Sequence, residues 1–240
     1  PYRRFPHQHF NILEKWLKAT EKKCAIISEG VFSMNGDSPD STTLLKTCQN
    51  HTVVLDESHA LGVIGARGLG TLEHLDTLPS NVMVTGSFGK SCAGQGGFIA
   101  GNKALIECVV QLASSFIYTT ALAPSLTASA IAALDLILEG ERHHQLRENI
   151  DYFTRLMAQT NIPHQPSQSA IWPIVIGDIK RCQKIALALK KDKLLVGMIR
   201  PPTVPENTAR LRITLTAAHQ RDQLEQLVSC LNQHWENTIE

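Results

Sequence analysis

The sequence has few aromatic residues, no excess of charge and no long uninterrupted apolar run. Aromatic residues make up 5% of its 240 positions, and 23 lysines and arginines against 22 aspartates and glutamates leave a net charge of +1. A chain without a basic field lacks the electrostatic attraction that gathers nucleic acid or an anionic membrane. We therefore expect no nucleic-acid partner and no membrane partner, and any anionic ligand has to be bound by a local site.

Metal-binding and targeting patterns are also missing. Zinc ligands come in closely spaced pairs, whereas the six cysteines include no CxxC pair and lie at positions 24, 48, 92, 108, 182 and 230. The most apolar segment, ALAPSLTASAIAALDLILEG, is interrupted by Pro124 and by polar residues, which argues against a membrane span. No signal-peptide pattern opens the sequence. We expect no metal, reduced thiols and a cytoplasmic location.

The first part of the sequence has the pattern of an α/β domain. An amphipathic helix around HFNILEKWLKAT precedes four short apolar runs, CAIIS, TVVLDES, VMVTGS and GGFIAG, which we predict to be buried strands. A turn-rich loop and a short helix near TTLLKTCQN separate the first two runs, as in the crossovers of a parallel sheet. Helical patterns follow from Asn102 and again from Pro124. We predict a large domain with a mainly parallel sheet over residues 1–138.

The second part has a different pattern. A helix through HQLRENIDYFTRLMAQT is followed by three predicted strands, IWPIVIG, LLVGMIR and RLRITLT, with a helix through CQKIALALKKD between the first two. The loop PPTVPENT precedes the last strand, and an amphipathic helix, RDQLEQLVSCLNQHW, closes the sequence. We predict a smaller α+β domain over residues 139–240.

Two segments place polar side chains after predicted strands, where open α/β sheets bind ligands. In LDESHALGVIGARGLG, Asp56 ends a strand and His59 follows it, although an aspartate that caps the next turn would give the same pattern. In VTGSFGKSCAGQGGFIAG, Lys90 lies among small residues that let a bulky ligand approach. A phosphate-binding P-loop is the rival interpretation, but Val84 stands where its first glycine is required.

A third segment, RPPTVPENTARLRITLTAAH, carries candidate anion-binding arginines. Arg210 and Arg212 alternate with apolar residues on a predicted strand, so both side chains should lie on the same face. A guanidinium group can hold a carboxylate through two parallel hydrogen bonds. Solvated arginines on a surface strand are an equally good interpretation of this segment, and Arg200 carries the same ambiguity.

Taken together, SEGVFSMNGD, LDESHALGVIGARGLG, TGSFGK and RPPTVPENTARLRITLTAAH resemble the α-oxoamine synthases, a family of fold-type I pyridoxal-phosphate (PLP) enzymes. The resemblance extends from about Phe5 to Leu231. It implies the fold-type I architecture, with a partial large domain that has a mainly parallel sheet and a smaller carboxyl-terminal α+β domain.

The resemblance also implies roles for individual residues in PLP binding. Lys90 matches the lysine that binds the cofactor covalently, and Asp56 matches the aspartate that pairs with its pyridine nitrogen. His59 and Ser33 match positions that form hydrogen bonds near the phenolic oxygen of the ring. Ser87 stands where many relatives have threonine, and its hydroxyl would reach the cofactor phosphate. Of these, Lys90, His59 and Asp56 are the expected catalytic residues.

Further positions imply a shared site and a substrate contact. Thr119 and Thr120, in FIYTTALAP, match a segment that reaches the phosphate in the neighbouring subunit, which implies a homodimer. Arg212 matches the arginine that binds the carboxylate of the amino-acid substrate, and Arg200 is a second candidate for that contact.

The combination of SAIWPIVIGD with IRPPTVP resembles the family members that condense L-alanine with a pimeloyl thioester to give 8-amino-7-oxononanoate, a biotin precursor. The thioester carrier would be coenzyme A or an acyl carrier protein. Condensation of glycine with an acetyl or succinyl thioester remains an alternative. Because the sequence begins at Pro1 and lacks the family's upstream phosphate loop and ring-stacking residue, we also consider a truncated fragment that dimerises without catalysis.

Overall fold

The computed structural model describes residues 2–238. Its contacts divide the chain into two compact units. Unit 1 consists of the chain up to Val31 together with Ser38–Gly140, and unit 2 consists of Phe32–Asp37 together with the chain from Glu141 onward. Each unit is described separately below.

Unit 1 contains a four-stranded sheet with the strand order β1-β2-β3-β4. The strands are β1 (Ala25–Glu29), β2 (Thr52–Asp56), β3 (Val82–Ser87) and β4 (Gly97–Gly101). The first three are parallel, whereas β4 runs antiparallel to β3. The four apolar runs are therefore strands, as predicted, but the expectation that all four are buried is wrong for β4, whose residues are exposed or half-buried. The short turn between β3 and β4 leaves no room for the long crossover that a parallel pair needs, which explains the reversed direction of β4.

One face of this sheet is covered by the two helices α1 (Phe10–Lys18) and α2 (Ser41–Thr47). Leu13 of α1 and Leu44 of α2 pack with alternate strand residues, including Ile26, Val53 and Val82, in a buried apolar cluster. The Asp40 carboxylate starts α2 because it accepts hydrogen bonds from the amides of its first turn. This packing fixes the ends of β2 and β3, from which the candidate site residues extend.

Three further helices complete unit 1: α3 (Lys103–Leu112), α4 (Ser114–Ile117) and α5 (Pro124–Glu139). Pro124 occupies the first turn of α5, and Gly140 ends the helix in the left-handed conformation that favours glycine. Several large apolar side chains of this segment are exposed, among them Leu112, Phe116, Ile117, Tyr118 and Leu138. Among residues 2–238, no helix is both long and apolar enough to cross a membrane.

Unit 2 contains a three-stranded antiparallel sheet with the order β5-β7-β6. Its elements are α6 (Glu141–Met157), β5 (Ile171–Gly177), α7 (Ile179–Lys191), β6 (Gly197–Ile199), β7 (Ala209–Thr214) and α8 (Arg221–Glu236). In its core, the Phe153 ring meets the buried Trp172 ring edge-on, with a centroid distance of 5.1 Å. The strand predicted through LLVGMIR is shorter than expected, because only Gly197–Ile199 pair with β7, and Leu195 before them is exposed.

All six cysteines are free. Burial raises the pKa of the Cys48 and Cys182 thiols to about 11, which keeps both thiols protonated and unreactive at neutral pH.

Candidate active site

Asp56 is the last residue of β2, and His59 lies on the turn that follows it. The Asp56 Oδ1 accepts a hydrogen bond from the Ser58 amide at 2.8 Å, and the Asp56 carbonyl accepts one from the Gly30 amide at 2.8 Å. The Glu57 carbonyl accepts hydrogen bonds from the amides of Ala60 and Leu61, three and four residues later, and these bonds close the turn. Asp56 therefore does cap the following turn, as the alternative interpretation required. Capping uses Oδ1, and the half-buried carboxylate has a second oxygen with which to bind a ligand.

Ser87 and Lys90 lie at the same end of the neighbouring strand. Asp56 of β2 pairs in register with Thr85 of β3, and Ser87 is the last residue of β3. The Ser87 Oγ accepts a hydrogen bond from the Gly89 amide at 3.0 Å. Because β2 and β3 are parallel, Asp56, Ser87 and Lys90 all lie at the carboxyl edge of this sheet, where α/β sheets bind ligands.

The segment around Lys90 is a β-hairpin turn. Phe88 donates a backbone hydrogen bond to Gly96 at 3.0 Å, and Gly94 donates one to Phe88 at 2.7 Å. The chain then enters β4 rather than a helix. A P-loop needs a helix whose first amides face the phosphate, so the geometry argues against the nucleotide-binding alternative.

The small residues near Lys90 have a packing role that the sequence did not reveal. A Cβ added at Gly86 would lie 2.4 Å from the Phe98 ring, and one added at Gly97 would lie 2.6 Å from the Gly86 carbonyl oxygen. These glycines allow β3 and β4 to pack closely. Lys90 itself is exposed in the part of the protein that the structure describes.

A half-buried carboxylate, Glu73, closes the loop that follows His59. It accepts hydrogen bonds from the Leu69 amide and from the Arg67 amide and Nε, all between 3.0 and 3.1 Å. Partial burial opposes ionisation of the Glu73 carboxyl, but the bonds from Leu69 and Arg67 outweigh it and lower its pKa. Glu73 could not be predicted from the sequence, because only the folded loop brings these amides to it.

In unit 2, Arg210 and Arg212 both bind the segment Phe32–Asp37. The Arg212 Nε donates to the Ser33 carbonyl at 2.7 Å, and the Arg210 Nη1 donates to the Asn35 Oδ1 at 2.7 Å. Burial lowers the pKa of both guanidinium groups. The two side chains share one face of β7, as predicted, and the alternative of solvated surface arginines is wrong for both. Asn35 is a further residue of this contact that was not predicted from the sequence.

The remaining predicted residues are exposed. Thr119 and Thr120 lie between α4 and α5 in unit 1, and Arg200 follows β6 in unit 2. The structure thus groups Asp56, His59, Ser87 and Lys90 in unit 1, while it joins Ser33 to Arg212 in unit 2.

Comparison with known proteins supplies the family. The profile described as "Aminotransferase class I and II" matches residues 1–231. The chain belongs to this aminotransferase class I and II family. The motif-based resemblance and the predicted fold-type I architecture are both confirmed by this match and by the solved structures of family members described next.

Among family members, the 8-amino-7-oxononanoate synthase of Hydrogenovibrio crunogenus is 38% identical over an alignment of 238 positions, which covers 96% of this chain and 60% of that enzyme. A structure of 8-amino-7-oxononanoate synthase from Francisella tularensis superposes with a TM-score of 0.84 at 26% identity, covering 98% of this chain and 69% of that one. Serine palmitoyltransferase from S. paucimobilis, with a bound PLP–myriocin aldimine, gives a TM-score of 0.88 at 26% identity, covering 97% and 60%. The chain therefore spans about three fifths of the length of the Hydrogenovibrio enzyme.

Proposed function

We propose that this chain carries the lysine-bearing part of the active site of a PLP-dependent acyltransferase. The reaction condenses L-alanine with a pimeloyl thioester and releases carbon dioxide and the free thiol, and its product is 8-amino-7-oxononanoate. The observation that carries the proposal is that Asp56, Ser87 and Lys90 lie at or just beyond the carboxyl ends of two adjacent parallel strands. The similarity to 8-amino-7-oxononanoate synthases at 38% identity supports the choice of substrates.

The side chains at this edge fit the chemistry of PLP. The Asp56 carboxylate suits a protonated pyridine nitrogen, the Ser87 hydroxyl is a hydrogen-bond donor for a phosphate, and the Lys90 amine can bind an aldehyde. When bound, PLP supplies an electron sink for a carbanion at the substrate α-carbon. Asp56 would keep the ring nitrogen protonated, and Lys90 would carry the cofactor and then move the proton at the α-carbon.

The remaining predicted residues orient the cofactor and the substrate. His59 and Ser33 would hold the phenolic oxygen of the ring, and the Arg212 guanidinium would bind the alanine carboxylate, with Arg200 as a second contact. Burial of Arg212 supports this role, because an ion pair is stronger where water is scarce. A fixed carboxylate leaves the α-carbon of alanine in one orientation toward the base.

We further propose a homodimer in which Thr119 and Thr120 reach the cofactor phosphate in the partner subunit. The segment that carries them exposes a series of apolar side chains, including Tyr118 at 86%. Exposure of many large apolar side chains in one segment is typical of a protein–protein interface. Sedimentation of the purified protein should therefore give twice the mass of one chain, and a monomer at micromolar concentration would contradict this part of the proposal.

Substrate choice can be tested directly on purified protein incubated with PLP. L-Alanine with pimeloyl-coenzyme A or pimeloyl acyl carrier protein should release thiol and give 8-amino-7-oxononanoate by mass spectrometry. Glycine with acetyl- or succinyl-coenzyme A serves as the matched alternative pair. Turnover of glycine alone would assign another condensation within the family. A chain that binds PLP but turns over neither pair, or that does not bind PLP, would support the hypothesis of a non-catalytic fragment.

A further inference from the structure

A buried acidic residue, Glu57, directly follows Asp56. Its exposed fraction is 4%, and glutamate is rarely so buried without partners. Its Oε2 accepts a hydrogen bond from the Thr71 amide at 2.9 Å, and its Oε1 accepts one from the Thr71 hydroxyl. Burial raises the pKa of the Glu57 carboxyl, and the bonds from Thr71 act in the opposite direction. A residue of the 57–61 turn is thus tied to a loop fourteen positions away.

Two glycines make space for this carboxylate. A Cβ at Gly30 would lie 2.6 Å from the Glu57 Oε1, and a Cβ at Gly70 would lie 2.5 Å from its Oε2. Gly70 also has a φ of +104°, which other residues rarely adopt. The Glu57 carboxylate therefore lies between the end of β1 and the loop that contains Thr71. A shift of Gly30 or of Gly70 toward it would displace the carboxylate.

The backbone of Glu57 holds the turn that carries the candidate catalytic residues. Its amide donates to the Thr85 carbonyl of β3 at 2.8 Å, and its carbonyl accepts from the Ala60 and Leu61 amides at 2.9 Å each. Asp56 is the residue before it, and His59 lies inside the turn that these bonds close. A change in the backbone conformation of Glu57 would therefore move both the Asp56 carboxylate and the His59 ring.

We propose that Glu57 is a positioning residue whose carboxylate, held by Thr71, fixes the directions of the Asp56 carboxylate and the His59 ring toward the cofactor. The orientation of Asp56 and His59 toward PLP rests on the proposed function. The hold of Thr71 on the turn follows from the contacts within unit 1 and can be tested in the protein without PLP.

The experiment compares three variants. Thr71→Val removes the hydrogen bond from the hydroxyl to Glu57 but keeps the bond from the Thr71 amide and the shape of the side chain. Thr71→Ser keeps the hydroxyl. Thr42→Val is the matched control, because it makes the same substitution at an exposed position of α2. The first measurement is amide hydrogen exchange without PLP. We expect Thr71→Val to speed exchange at Ala60, Leu61 and residue 71 by about tenfold, the loss expected for one buried hydrogen bond. Thr71→Ser and Thr42→Val should stay within about twofold of wild type.

The second measurement is the affinity for PLP, together with the visible absorption of the bound PLP across a pH series. Thr71→Val should weaken binding by about tenfold and shift the midpoint of the pH titration by about half a unit, because a displaced Asp56 interacts less with the ring nitrogen. Thr71→Ser should restore both values. Faster exchange with unchanged binding and midpoint would overturn the positioning role and leave Glu57 purely structural. If the wild-type protein binds no PLP, the proposed function fails. Unchanged amide exchange in Thr71→Val would, independently of PLP, overturn the hold of Thr71 on the turn.

Discussion

Replacement of Lys90 by alanine is expected to abolish covalent attachment of PLP and to slow condensation by at least about a thousandfold, since both the attachment point and the base are lost. Lys90 lies three residues after the Ser87 hydroxyl and one strand away from Asp56. Borohydride reduction of the wild-type protein with PLP, followed by peptide mass analysis, should locate the cofactor on Lys90. The visible absorption band should be absent from Lys90→Ala.

Lys103→Ala provides the matched control, because PLP can react with any accessible amine. Lys103 is an exposed lysine of the same unit, at the start of α3, and its Nζ lies 3.8 Å from the Glu107 carboxylate. We expect Lys103→Ala to keep the absorption band and the condensation rate within about twofold of wild type. Reduced cofactor on several lysines, with an equal signal in Lys90→Ala, would contradict the role of Lys90.

The position of Lys90 shows what could be predicted from the sequence. Apolar runs of strand length, each followed by small or polar residues, predicted β2 and β3 correctly. The rule that ligands bind at the carboxyl ends of parallel strands then selected Asp56 and Lys90. Both inferences use only local patterns and one property of parallel sheets, which is why they needed no knowledge of distant contacts.

Features that depend on distant contacts could not be predicted in this way. The run GGFIAG indicates a strand, but nothing in it shows that β4 would run antiparallel to β3. The segment Phe32–Asp37 follows β1 in the sequence, yet in unit 2 the Ser169 hydroxyl donates to its Gly36 carbonyl at 2.7 Å. Glu57 resembles an ordinary loop glutamate until its bonds to Thr71 are known. The exposure of Lys90 likewise depends on tertiary packing, which the local sequence around it does not reveal.

The second large effect is expected at Arg212. Its strand, β7, is the central strand of the unit 2 sheet, and its Nε is held by the Ser33 carbonyl at 2.7 Å. This bond fixes the plane of the guanidinium group, so that its two terminal nitrogens can hold a carboxylate in parallel. Lysine has a single ammonium group and cannot make both contacts. We expect Arg212→Lys to raise the KM for L-alanine by about a hundredfold, with a smaller change in kcat.

Arg210→Lys separates substrate binding from stability, since Arg210 lies two residues away on the same face of β7. Arg210 is exposed by only 7%, and its guanidinium binds protein groups, the Asn35 side chain at 2.7 Å and the Thr208 carbonyl at 3.1 Å. Its loss should destabilise the protein by about 1–3 kcal/mol, because buried acceptors lose a charged donor, while the KM for L-alanine should change little. Urea unfolding and steady-state kinetics on both variants distinguish the two roles. If Arg212→Lys lowered stability and left KM unchanged, Arg212 would be a structural partner of Ser33, and the carboxylate contact would have to be sought elsewhere, first at Arg200.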